Sequence, residues 1–116
     1  MPLRFLMETS EQFLDRAMKL LQRSDPIPKL LPQVRLGRMP KDSPALNAIL
    51  DSWLEAFIQV LKDAQALLDI GGVKRLDPNP RIAVLVEAGV LPEDHPHVKT
   101  LRDAWSAALE AAQKRI

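Results

Sequence analysis

The sequence predicts an all-α fold: a single-domain bundle of about four helices over residues 1–116, with a long central helix and a Pro-rich non-helical excursion. Three observations carry that expectation. Ten prolines stand against four glycines, and each proline falls between segments of helical periodicity or at the start of one, as suits a residue excluded from helix interiors but tolerated in a first turn. Four segments repeat apolar residues with the period of an amphipathic helix. Only Ile82-Ala83-Val84-Leu85-Val86 reads as a strand, and no second segment offers it a partner. A lone strand would leave its backbone unpaired, so this stretch is read as helix.

The first helix runs from about Ser10 to Arg23, entered through Thr9 and Gln12, whose spacing fits a capping box. Phe13, Leu14, Ala17, Leu20 and Leu21 form its apolar stripe. Ahead of it, residues 1–8 make an N-terminal arm. Its Leu3, Phe5 and Leu6 lie outside any strong periodicity and are expected to cover the core or insert into a partner. Ser24-Asp25-Pro26 stops the helix.

Residues 25–42 form a Pro-rich segment that is both apolar and basic. Pro26, Pro28 and Pro32 are expected to prevent a long helix and Gly37 to break what remains. Ile27, Leu30, Leu31, Val34, Leu36 and Met39 make the segment too apolar for a solvated linker. It is expected to lie against the core or a partner.

The central helix is expected from Pro44 to Ile70, with Ser43 as N-cap and Gly71-Gly72 as a left-handed exit. Leu46, Leu50, Trp53, Phe57, Leu61, Ala64 and Leu68 form one stripe, which Ile49, Leu54, Ile58 and Val60 widen. A face that broad exceeds what one neighbouring helix covers. A short third helix opens at Asn79-Pro80 and closes at Ala88-Gly89-Val90, where Val90 can fold back on Leu85 in a Schellman turn. The fourth runs from about Pro96 to Arg115, with Val98, Leu101, Ala104, Trp105, Ala108, Leu109 and Ala112 inward.

The chemical inventory is short. A chain without cysteine excludes disulfides, thiolate metal sites and a cysteine nucleophile. A net charge of +1 removes bulk attraction to nucleic acid or anionic membrane. No Gly-x-Ser-x-Gly elbow and no His-Glu-x-x-His motif occurs, and Gly71-Gly72-Val73-Lys74-Arg75 lacks the spacing that cradles phosphate. In Glu93-Asp94-His95-Pro96-His97, two imidazoles and two carboxylates could hold a divalent metal, but Asp94 or His95 as the cap of the fourth helix explains the residues better. No catalytic residue, metal or cofactor is therefore expected. The short apolar stretch before Glu8 lacks the long apolar core of a secretory leader, so none is expected, and no apolar run approaches the roughly 18 residues of a membrane span. A cytoplasmic protein without membrane contact follows.

These features point to a non-enzymatic protein-interaction or assembly subunit. A small helical adaptor or connector would fit, in a homo-oligomer or a larger complex such as a viral particle. The expected contact residues are Leu3, Phe5, Leu6, Leu30, Leu31, Val34, Leu36, Trp53 and Phe57. The alternative is a nucleic-acid-binding regulator using Lys29, Arg35, Arg38 and Lys41, the one sizeable basic run without an intervening acid. No aromatic is interleaved there for base stacking, which disfavours it.

Overall fold

The structure, a computed structural model, describes residues 8–114. Among the described residues it is all-α, with no strand: α1 (Ser10–Ser24), α2 (Ile27–Arg35), α3 (Pro44–Leu67), α4 (Ile70–Lys74), α5 (Asn79–Glu87) and α6 (Pro96–Lys114). Leu3, Phe5 and Leu6 of the expected arm lie outside the described residues.

The central helix is α3, which packs chiefly along α6 and also against α1, while α4 packs on α6. Its stripe is buried throughout, from Leu46 through Leu50, Trp53, Phe57 and Leu61 to Ala64. The widening residues Leu54, Ile58 and Val60 are buried too. That burial explains the breadth of the face: α3 has α6 on one side and α1 on another. Trp53 and Phe57 meet edge to face, their ring centroids 5.5 Å apart, the arrangement ring quadrupoles favour. Phe13 and Ala17 of α1, Ile82 and Leu85 of α5, and Val98, Leu101, Ala104, Ala108 and Ala112 of α6 complete one core.

Several helix ends follow the expected chemistry. Thr9 and Gln12 form the reciprocal capping box, each bond 3.0 Å. Ser43 caps α3 by accepting from Leu46 N–H. Gly89, at φ +79, closes α5 with Val90 N–H on Leu85 O and Gly89 N–H on Val86 O, the paired bonds of a Schellman turn.

Two expectations are corrected. The Pro-rich segment is not a non-helical excursion, because residues 27–35 form α2. Pro28 occupies the first turn, where its missing N–H is no loss. Asp25 Oδ1 accepts the Ile27 N–H at 2.9 Å. Burial of Leu31 and Val34 holds the helix although Pro32 lies inside it, so tertiary packing outweighs the lost backbone bond. Gly37, at φ +75, then ends α2 with Arg38 N–H on Gln33 O and Gly37 N–H on Val34 O.

The second correction concerns the end of the central helix. It stops at Leu67, and Leu68 is extended at φ -111 and ψ 146. Asp69 then starts a new helix, its Oδ1 accepting Gly72 N–H at 2.9 Å. Gly71 and Gly72 are therefore inside α4 and not a left-handed exit; the positive-φ glycines are Gly37 and Gly89. Trp105 Nε1 donates to Val73 O at 3.3 Å and holds α4 against α6.

Candidate functional site

A cleft of about 430 Å³ opens between the α1–α2 junction and the first turns of α3. Its apolar walls come from Pro26 and Leu30 on one side and Ala48, Ile49 and Trp53 on the other, with Arg23 and Lys29 beside them. The sequence produces this hollow directly. Pro26 ends the extended turn after α1 and starts α2 at once, and Leu30 of α2 and Ile49 of α3, the latter 40% exposed, line the hollow together.

The turn is pinned from below. Asp25 is 9% exposed and is the buried charged residue of the described chain. Its Oδ2 lies 2.8 Å from Arg81 Nη1 of α5, while Oδ1 caps Ile27. A second, smaller hollow of about 130 Å³ lies beneath, bordered by Asp25, Trp53, Arg75 and Arg81. Trp53 borders both hollows, and its buried Nε1 has no hydrogen-bond partner.

Of the expected contact residues, Leu31, Val34, Trp53 and Phe57 are 4%, 7%, 1% and 4% exposed. These side chains build the protein's own core, and of the four only Trp53 and Phe57 border either hollow. Their helical periodicity marks burial but cannot say against what. Leu30 is half-buried at the cleft, and Leu36 is 65% exposed at the end of α2. Ile49, absent from the expected contact residues, borders the same cleft and at 40% exposed lies between Leu30 and Leu36 in exposure. Its signal was its place at the edge of the α3 stripe.

Lys29, Arg35, Arg38 and Lys41 are all exposed. Lys41 leans over the end of α5, where a Cβ placed on Gly89 would come within 3.3 Å of its Nζ.

The structure also assembles a polar cluster at the start of α6. His95 precedes Pro96 and caps the helix as expected, its Nδ1 accepting the His97 N–H at 3.0 Å. With Nδ1 as acceptor, the neutral ring carries its proton on Nε2. That atom faces Asp51 Oδ1 of α3 at 3.3 Å, and His97 Nε2 faces Glu55 Oε1 at 3.2 Å. The two imidazoles meet edge to face at 5.1 Å. Glu93 and Asp94, the acids nearest in sequence, are exposed and outside this group. Sequence reading missed Asp51 and Glu55, although their four-residue spacing already set two carboxylates on one helix face.

The fold defines an all-α helical bundle. Compared with protein-family models, with curated protein sequences and with solved structures, the chain gives no match. Among the described residues no helix is long and apolar enough to cross a membrane.

Proposed function

We infer that the protein is a non-enzymatic assembly subunit that binds a second copy of itself through the α2–α3 cleft. What supports this reading is that one short helix and its C-cap bring an apolar cleft border and an exposed leucine close together. Leu30 borders the cleft, while Leu36, six residues on, projects 65% exposed. A two-fold arrangement would seat each Leu36 in the partner's cleft, beside Ile49, so that the same patch serves both copies. Filling the cleft would also remove the exposed parts of Ile49 and Leu30 from water, the term that drives most association.

Sedimentation of the purified full chain tests this. The expected mass is twice 13.0 kDa, returning to that of a single chain in Leu36→Glu and in Ile49→Glu, with unchanged helical circular dichroism. Both positions are exposed, so neither change unfolds the core. A wild-type protein that stays a single chain at all concentrations overturns the reading. Trp53→Ala is not an interface test, because a buried tryptophan so truncated costs about 3–5 kcal/mol of fold stability.

A further inference from the structure

We propose that Asp51, Glu55, His95 and His97 form a binding site for a divalent transition-metal cation of the zinc class. The argument begins with placement. One turn of α3 sets Asp51 and Glu55 on a common face, and the first turn of α6 lays two imidazoles against it. The ligand atoms of Asp51, His95 and His97 all lie within 4.8 Å of one another, the one such group of three among the described residues. Glu55 Oε1, outside that group of three but 3.2 Å from His97 Nε2, stands beside it as a fourth donor that a small side-chain movement would bring in.

Distance supports a tetrahedral ion. With metal–ligand bonds of about 2.0–2.1 Å, the edge between two ligands of a tetrahedron is about 3.3 Å. His95 Nε2 and Asp51 Oδ1 already stand at 3.3 Å, and His97 Nε2 and Glu55 Oε1 at 3.2 Å. The cluster has two preformed edges, and binding needs the two pairs to close on one another. Ligand chemistry selects the ion. Two imidazole nitrogens with carboxylate oxygens suit zinc and its neighbours, whereas magnesium and calcium take oxygen ligands. The side chains of His95 and His97 are 22% and 33% exposed, so an ion can reach them from solvent while the protein holds them in place.

Binding also carries a structural signature. In the metal-free arrangement the His95 proton sits on Nε2, the atom that must donate its lone pair to the ion. Capture therefore moves that proton to Nδ1, with no net proton lost from a neutral ring. Nδ1–H can no longer accept the His97 N–H. The ion and the helix cap compete for the same imidazole, so metal loading is coupled to the first turn of α6. A surface histidine that met zinc by chance would show no such coupling.

Titration of untagged, chelator-treated full chain with Zn²⁺, followed by calorimetry and amide NMR, tests the proposal. One Zn²⁺ per chain is expected, no saturable binding of Mg²⁺ at equal concentration, and the His97 amide among the most shifted resonances. Asp51→Asn and His97→Gln should each weaken binding about tenfold or more. His95→Asn should do the same while keeping a capping side chain, so loss of affinity there is separable from loss of the helix end. Non-saturable binding, or Zn²⁺ affinity unchanged in all three folded variants, overturns the site.

Discussion

Arg81 Nη1 stands 2.8 Å from Asp25 Oδ2, fastening α5 to the α1–α2 junction through a carboxylate whose side chain is only 6% exposed. Asp25 does two jobs with its two oxygens, since Oδ1 caps Ile27. Two substitutions separate them. Asp25→Asn keeps a capping oxygen but loses the ion pair, and is expected to cost about 1 kcal/mol, because Arg81 is half exposed and rehydrates. Asp25→Ala loses both and leaves the Ile27 amide without its acceptor, raising the cost to about 1–3 kcal/mol. Urea denaturation of both variants checks the difference; equal midpoints would show that the cap at α2 contributes nothing.

The glycines divide by backbone angle. Gly37 and Gly89 have φ of +75 and +79, which a Cβ makes unfavourable, so Gly37→Ala and Gly89→Ala should each cost about 1–2 kcal/mol. Gly71 lies inside α4 without positive φ, and a Cβ there meets Asp69 Oδ1 at an ordinary 3.7 Å. Gly71→Ala should therefore stabilise by about 0.4–1 kcal/mol through the unfolded chain. Thermal unfolding of the three variants gives the test, and the opposite sign for Gly71 would be decisive.

This contrast also explains what the sequence could and could not reveal. The capping box at Thr9, Ser43 before Pro44, the Gly89 turn and the His95 cap are local chemistry, complete within a few residues, and each was legible. The helix over residues 27–35 was not, because it exists by burial of Leu31 and Val34 against distant partners, and periodicity over nine residues broken by Pro32 is a weak signal. The break at Leu68 was hidden for a similar reason: Asp69 as a cap competes with continuation of α3, and two adjacent glycines drew the boundary to themselves. In the His cluster, the half within residues 93–97 was visible as a motif. Asp51 and Glu55 join it only because α6 packs along α3, a contact separated by more than forty residues.

Glu8 and Arg16 give a prediction in pH. Arg16 donates two hydrogen bonds to the Glu8 carboxylate, both 3.0 Å, and chiefly this bonding holds the carboxyl below its ordinary value of 4.5, against a smaller opposing desolvation. A depressed acid stabilises the fold when ionised, so its contribution is fully present above pH 4.5 and is lost as pH falls through the lowered folded value. An NMR titration of the Glu8 side chain should show the low midpoint, and Arg16→Gln should return it toward 4.5. An unchanged midpoint in that variant would remove Arg16 as the cause.

Pro32 is the residue most at odds with its surroundings, a proline inside α2 with its ring exposed. It has no N–H to donate to Pro28 O, and an interior proline disfavours a helix by about 3 kcal/mol relative to alanine. Part of that is recovered because proline also restricts the unfolded chain, by about 0.4–1 kcal/mol. Pro32→Ala is accordingly expected to stabilise the protein by about 2–2.6 kcal/mol, a rise of several degrees in Tm for a domain of this size. Since Leu31 and Val34 keep their buried places, the cleft beside Leu30 should be unaltered. Calorimetry of the variant decides: a fall in Tm would mean that the backbone angle fixed by Pro32 is what directs Leu31 and Val34 together into the core.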